Sequence, residues 1–204
     1  MKKKVSLFNR IANVYGFFFN WQVRNYRNIL DNIKDELDLD FSNYQNIIDI
    51  GCGTGALCKV LQGYGVEVTG LDPAEAMLAI AQKKTGKTEP GKPSIQFVHG
   101  NVLNGLQFKD KSFDLAISSY VAHGLIPKDR LTLYNEMKRV AKHTAILIYY
   151  SEHRSLITDI AEWLEGGDYF NFIRIIKDEL RNQFGNLKII NTRKYSAIYI
   201  CKID

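Results

Sequence analysis

Three glycines at alternate positions form the stretch of this sequence with the clearest chemistry. Gly51, Gly53 and Gly55 follow a short apolar run, Ile47 to Ile50, and the residues after them have the apolar spacing of a helix. A strand, a tight turn and a helix N-terminus in this order present backbone N–H groups to a ligand. Glycine lets the backbone adopt positive φ and approach a bound molecule closely. The pattern therefore predicts a cofactor-binding loop.

A second polar position supports this prediction. Asp72 follows Gly51 by 21 residues and lies after a second apolar run, Val66 to Leu71. A carboxylate at this place accepts hydrogen bonds from a ribose diol. The glycine spacing also fits the dinucleotide fingerprint, with Ala56 at its last position. These residues predict a nucleoside-bearing cofactor, and they leave open whether it is a dinucleotide.

The wider pattern resembles the class I S-adenosylmethionine-dependent methyltransferases. Asp49-Ile50-Gly51-Cys52-Gly53-Thr54-Gly55 is similar to the first motif of that family, and three later stretches match it in order. They are Gly70 to Leu78, Gly100 to Val102 and Ser112 to Ser118. The stretch from Ser6 to Tyr15 is similar to the small-molecule, quinone-biosynthesis-type group of these enzymes (methyltransferase types 11 and 25). One departure is Asn101, where many relatives have aspartate. Another is Val140 to Thr144, which replaces a Pro-Gly-Gly turn.

The resemblance implies S-adenosylmethionine as methyl donor, S-adenosylhomocysteine as product and no metal. It implies that Asp49 and the glycines hold the methionine portion and that Asp72 holds the ribose. The residues implied to bind the cofactor are Tyr15, Asp49, Gly51, Cys52, Gly53, Gly55, Asp72, Pro73, Met77, Asn101, Val102 and Ser118. The catalytic residues stay unknown, and the candidates are His123, Tyr15 and Tyr120, followed by Tyr149 and Tyr150. A base is needed only where the methyl acceptor is a neutral nucleophile.

Strands and helices that alternate along the chain must position these residues. The expected strands are 45–50, 66–71, 95–98, 113–118, 144–150, 187–190 and 197–201, and the expected helices include 55–63, 74–84 and 128–141. Alternation of this kind is typical of a parallel sheet covered on both faces. The last two strands are too close in sequence for a crossover helix, so they must pair antiparallel. We therefore predict an α/β, three-layer Rossmann-like methyltransferase fold with a mostly parallel seven-stranded sheet that ends in an antiparallel hairpin.

Two helical patterns precede the first strand. We expect one methyltransferase domain over residues 1–204, in which 1–42 form an N-terminal helical lid and 43–204 form the Rossmann-like core. An aromatic cluster, Phe17 to Trp21, lies between the two patterns. These side chains either pack the helices onto the core or form part of a lid over the cofactor and acceptor. The resemblance implies that Tyr15 lies near the methionine end of the cofactor.

Composition excludes several classes of protein. The chain has 204 residues, 46% hydrophobic, and no apolar run long enough to span a bilayer. Its three cysteines and four histidines lack metal-ligand spacing, and we expect a cytoplasmic protein. The net charge of +5 comes with basic residues spread along the chain, so nucleic-acid binding is permitted but not indicated. The expected partner is a small-molecule substrate of unknown identity, and the oligomeric state is unknown.

Two other motifs are rejected. Residues 81–88 resemble a phosphate-binding loop, but they follow a helix where that loop must follow a strand. Tyr134 and Lys138 have the spacing of a short-chain dehydrogenase pair, but Tyr134 lies on an apolar helix stripe and is expected in the core. Three functions remain. The leading one is methyl transfer to a small molecule. The alternatives are RNA or protein methylation, and cofactor binding by a regulator without catalysis.

Overall fold

The computed structural model describes residues 2–37, 39–86, 91–150, 169–191 and 196–203. The chain divides into two compact units, Met1–Asn101 and Val102–Asp204. The glycine loop and Asp72 belong to the first unit. His123 and the other aromatic candidates after residue 101 belong to the second.

The first unit contains four helices and three parallel strands. In chain order they are α1 (Lys2–Phe17), α2 (Phe19–Leu37), β1 (Asn46–Ile50), α3 (Ala56–Gly63), β2 (Glu67–Asp72), α4 (Glu75–Thr85) and β3 (Ile95–His99). The strands lie in the order β3-β2-β1. Parallel pairing aligns Ile50 with Leu71 and Asp72 with His99. The strands therefore end at the same edge of the sheet. The glycine loop follows β1 at this edge, and Asp72 is the last residue of β2.

The two N-terminal helices pack on the helices that flank the glycine loop. α1 contacts α4 and α2 contacts α3. Ala12, Ala74 and Met77 form a buried cluster between α1 and α4, and Tyr15 packs against it. Gly16 allows close approach, because a Cβ at this position would lie 3.1 Å from Ile80.

The aromatic cluster divides between the core and the surface. Phe19 is buried, whereas Phe17, Phe18 and Trp21 are exposed. The interpretation that these aromatics pack the helices onto the core therefore holds for Phe19 and not for the other three.

The second unit contains two helices and four strands within its described residues. They are β4 (Phe113–Ser119), α5 (Pro127–Val140), β5 (Ala141–Tyr150), α6 (Tyr169–Phe184), β6 (Leu187–Asn191) and β7 (Ser196–Lys202). The order is β4-β5-β7-β6. β4 and β5 are parallel, and β7 is antiparallel to both β5 and β6. The prediction of a seven-stranded, mostly parallel sheet that ends in an antiparallel hairpin is confirmed.

The boundary between α5 and β5 differs from the prediction. β5 begins at Ala141, three residues before the expected start, because Ala141 already pairs with Phe113 across an irregularity in the register. The helix therefore passes into the strand without a loop. The sequence also predicts a helix over 156–164, and this segment lies outside the described residues. Among the helices that the structure describes, none is long and apolar enough to cross a membrane.

Candidate functional site

The glycine loop is a tight turn anchored to the end of β2. Gly51, Gly53 and Gly55 have φ values of 81°, 52° and 76°. The N–H groups of Gly51 and Cys52 both donate to the carbonyl oxygen of Leu71, at 2.7 and 3.0 Å. Inside the turn, Gly55 N–H donates to the Cys52 carbonyl oxygen at 2.9 Å. Three positive-φ glycines at alternate positions thus bring the chain from β1 into α3.

The glycines serve different purposes, which their surroundings distinguish. A Cβ on Gly55 would lie 2.8 Å from Phe97, so glycine is required there for packing against β3. A Cβ on Gly53 would meet no atom within 4 Å. Gly53 therefore borders open space, where a ligand can approach the backbone.

Asp72 connects the glycine turn to the start of α4. Its Oδ2 accepts a hydrogen bond from Gly53 N–H at 2.9 Å, and its Oδ1 accepts one from Ala74 N–H at 2.8 Å. Burial raises the pKa of this carboxyl, and the two backbone bonds and nearby His99 oppose that effect. Each carboxylate oxygen can accept a further hydrogen bond. The geometry therefore leaves Asp72 able to accept from a ligand hydroxyl while it holds the loop.

Asp49 is a buried acid on β1. Its side chain is fully buried on β1, and its Oδ2 accepts a hydrogen bond from Cys58 Sγ at 3.4 Å. Its Oδ1 has no hydrogen-bond partner among the described residues. Burial raises the pKa of Asp49 to about 7, more than the Cys58 bond lowers it. A cationic group near Oδ1 would favour the ionised carboxylate.

Two side chains of the N-terminal helices bond to this region. Asn9 Oδ1 of α1 accepts from Ala76 N–H at 3.0 Å, in the first turn of α4. The N-cap residue of that helix, Ala74, has no side chain that could do this. Gln22 Oε1 of α2 accepts from Thr54 Oγ1 at 3.0 Å, inside the glycine loop. Neither contact is predicted by the sequence, because no local spacing links residues so far apart in the chain.

The remaining predicted cofactor residues divide between the units. Tyr15 and Met77 come together through the cluster between α1 and α4, and Pro73 accepts a hydrogen bond from His99 Nε2 at 3.1 Å. Asn101 ends the first unit. Val102 is buried in a 3₁₀ turn of the second unit, and Ser118 is fully buried on β4.

The aromatic candidates of the second unit lie around the end of β4. Tyr120 has a φ of 55°, which is unusual for a residue with a side chain. Its ring lies 6.2 Å from that of Tyr149, and His123 lies 6.3 Å from the same ring. Tyr149 is fully buried, and its hydroxyl oxygen accepts from Ala122 N–H at 2.8 Å. Burial raises the pKa of Tyr149, so this residue is a poor general base. The side chain of Tyr150 lies outside the described part of the structure.

A partly buried ion pair in the second unit was not predicted. The guanidinium of Arg130 donates to both carboxylate oxygens of Glu179, at 2.8 and 2.6 Å, and Tyr134 OH donates to the same carboxylate at 3.2 Å. Arg130 also donates to the Leu125 carbonyl oxygen at 2.7 Å. The pair joins α5 to α6 and holds the loop after β4. Tyr134 is buried, which confirms its expected place in the core.

Within the described ranges, no three or more His, Cys, Asp or Glu side chains are grouped so that they could hold a metal ion.

Known proteins share this pattern. The family model described as "Methyltransferase domain" matches residues 48–149. The carboxy-S-adenosyl-L-methionine synthase 1 of Yersinia pseudotuberculosis is 30% identical over 71% of this chain and 60% of its own length. The demethylmenaquinone methyltransferase of Staphylococcus aureus is 28% identical over 76% of this chain and 72% of its own. The chain spans 37% to 60% of the length of the first curated relatives that it matches.

Solved structures agree at the level of the fold. A Methanococcus maripaludis protein assigned as an S-adenosylmethionine-dependent methyltransferase superposes with a TM-score of 0.70 at 20% identity, over 96% of this chain and 94% of that one. The magnesium protoporphyrin IX methyltransferase of Synechocystis with bound S-adenosylhomocysteine gives 0.63 at 20% identity, over 92% and 88%. With the matched family and the motif order, these findings show that the chain belongs to the class I S-adenosylmethionine-dependent methyltransferases.

Proposed function

We propose that this chain transfers a methyl group from S-adenosylmethionine to a small-molecule acceptor. The observation that carries the proposal is the positive-φ turn from Gly51 to Gly55, joined to Asp72 through Gly53 N–H. Two relatives named for small molecules support it, the demethylmenaquinone and carboxy-S-adenosyl-L-methionine enzymes. The acceptor of this chain and the atom that is methylated are not identified.

The residues of the first unit fit the cofactor. Open space beside Gly53 suits close approach of a ligand to the backbone. Oδ1 of Asp49, buried and with no hydrogen-bond partner among the described residues, suits an ammonium group such as that of the methionine portion. Asp72 retains acceptor capacity for a ribose diol. Tyr15, Cys52, Pro73, Met77 and Asn101 of the first unit, and Val102 and Ser118 of the second, stay proposals from the resemblance.

Little covalent chemistry is asked of the protein. S-adenosylmethionine, when bound, supplies an activated methyl group on a sulfonium. The protein's contribution is to position donor and acceptor in line and to keep water away. Where the acceptor is neutral, His123, Tyr15 and Tyr120 stay the candidates for proton removal.

We further propose that residues 1–42 act as a lid. Asn9 caps α4 next to Asp72, and Gln22 bonds to Thr54 in the glycine loop. These contacts link α1 and α2 to the region of the glycine loop. Cofactor binding that orders the loop would therefore also reduce the motion of both helices. A cytoplasmic location also stays a proposal, and fractionation of cells that express the chain would test it.

Calorimetry tests the donor. S-adenosylmethionine and S-adenosylhomocysteine should bind, and NAD should not bind comparably. Equal affinity for NAD would contradict the assignment, because the glycine spacing and Asp72 alone suit either ligand. Binding of S-adenosylmethionine without turnover on a broad panel of small acceptors would favour a regulator. Turnover on RNA or protein in place of small molecules would favour the macromolecular alternative.

A further inference from the structure

The junction between α1 and α2 carries an exposed apolar stripe. Val14 is 55% exposed, Phe17 82%, Phe18 49% and Trp21 51%. They are four of the six large hydrophobic side chains that are exposed in the described residues, and the other two are in the second unit. Large apolar side chains exposed side by side mark an interaction surface more often than scattered ones do.

Backbone hydrogen bonds make these residues one surface. Phe18 N–H donates to the carbonyl oxygens of Val14 and Tyr15, and Gln22 N–H donates to that of Phe18 at 3.0 Å. The helical pattern thus continues through the junction between α1 and α2. Residues at positions i, i+3, i+4 and i+7 then share one face. The rings of Phe17 and Phe18 confirm the proximity, since their centroids are 5.1 Å apart.

Arginines continue the same stripe at both ends. Arg10 precedes Val14 by four residues and Arg24 follows Trp21 by three, and both are exposed. The opposite side of the junction is buried at Ala12 and Phe19, and Ala12 packs against Met77 of α4. The exposed face is therefore apolar in its middle and cationic at its ends.

The charge of the whole chain is concentrated at this segment. The first 30 residues contain six of the 27 Lys and Arg residues and none of the 22 Asp and Glu residues. They carry +6, and the rest of the chain carries −1. Basic residues are spread along the sequence, but acidic ones are excluded from this part of it. The aromatic stripe thus lies within a strongly positive stretch of the sequence that has no acidic residue.

From this combination we propose that the exposed stripe at the α1–α2 junction docks on an anionic lipid surface. Aromatic rings lie favourably at the boundary between headgroups and acyl chains, and flanking arginines pair with anionic headgroups. The stripe would enter the interface while the buried side of both helices keeps its contacts with the first unit. Docking of this kind is peripheral and needs no membrane-spanning helix. It goes beyond the proposed methyl transfer and can be measured without turnover.

Vesicle co-sedimentation of the full chain tests the proposal. Binding is expected to vesicles of phosphatidylcholine with about 30% phosphatidylglycerol, to be weaker without phosphatidylglycerol, and to fall as salt is raised. Arg10→Gln and Arg24→Gln should each weaken binding about fivefold, the equivalent of roughly 1 kcal/mol per basic residue near an anionic surface. Phe17→Ser with Trp21→Ser should weaken it about tenfold or more, because two exposed aromatic side chains are lost.

A matched control shows whether the loss of vesicle binding is specific to the stripe. Ile126→Ser with Leu131→Ser removes two exposed apolar side chains from the second unit and should leave vesicle binding unchanged. In a Trp163→Phe background, Trp21 is the sole tryptophan, and its emission should shift to shorter wavelength when anionic vesicles are added. An equal loss of vesicle binding in both double-serine variants would overturn the proposal.

Other occupants of the stripe give different results. Dimerisation that Phe17→Ser with Trp21→Ser abolishes, without vesicle binding, would show that a second copy covers the stripe. Salt-sensitive binding to RNA but not to anionic vesicles would show a nucleic-acid surface. Either result, or no binding at all, would overturn the lipid assignment and leave the proposed methyl transfer untouched.

Discussion

The buried carboxylate of Asp49 provides the sharpest test of the site. Its pKa is about 7 in the folded protein, against an ordinary value of 3.8, because burial disfavours the charged form. Between these values the folded protein retains a proton that the unfolded chain releases. Stability must therefore fall as pH rises from about 4 to about 7, and the full cost is present above the folded pKa.

The size of the effect follows from the two pKa values. Their difference corresponds to at most about 4 kcal/mol of destabilisation at alkaline pH. Asp49→Asn removes the charge, but a buried amide left with unsatisfied donors costs about 1–3 kcal/mol. We expect the variant to be more stable than the wild type by about 1–3 kcal/mol near pH 8. Near pH 4.5 the wild type loses only about 1 kcal/mol to the raised pKa, so the variant should be less stable than the wild type by up to about 2 kcal/mol. Loss of the charge should also weaken binding of the cofactor ammonium group.

Urea unfolding at several pH values measures this directly. The free-energy difference between Asp49→Asn and wild type should grow with pH and level off above about 7. Asp178→Asn, which changes an exposed carboxylate, is the control and should show no comparable gain. A difference that is independent of pH would refute the reasoning about burial. A stabilised variant that binds S-adenosylhomocysteine as tightly as wild type would support the argument about burial. It would also show that Asp49 does not contribute to cofactor binding.

Three further predictions concern the loop and the helices around it. Asp72→Ala should weaken S-adenosylhomocysteine binding by about 1–3 kcal/mol and also lower stability, because the N–H groups of Gly53 and Ala74 lose their acceptor. Calorimetry measures the first effect and urea unfolding the second. Unchanged affinity would show that Asp72 is not part of the cofactor site. Asn9→Ala should cost about 1 kcal/mol of stability, the usual value of an N-cap, while Asn9→Asp should retain most of it; equal losses in both would argue against capping. Hydrogen exchange over residues 5–25 should slow when S-adenosylhomocysteine is added, with little change in β1 and β5; N-terminal amides as protected as those strands without ligand would contradict the lid.

Local sequence determined most of the framework of this protein. Alternation of apolar strands and helices predicts a parallel sheet, since each strand must be buried on both faces. The short connection before β7 allows only antiparallel pairing, and β6 and β7 pair in that way. The positive φ values of Gly51, Gly53 and Gly55 follow from the turn that their spacing predicts. Patterns within short stretches of the chain indicate all of these features, so the sequence alone is enough to predict them.

Only the tertiary structure decided how the site is supported. Asn9 caps α4 from 67 residues away, and Arg130 meets Glu179 across 49 residues. The pKa of Asp49 depends on complete burial, which no spacing rule supplies. The exposure of Phe17 and Trp21 is likewise invisible in the sequence, which left open whether these aromatics pack onto the core or form part of a lid. Each of these properties comes from atoms that folding brings together, and the physical environment they create exists only in the folded chain.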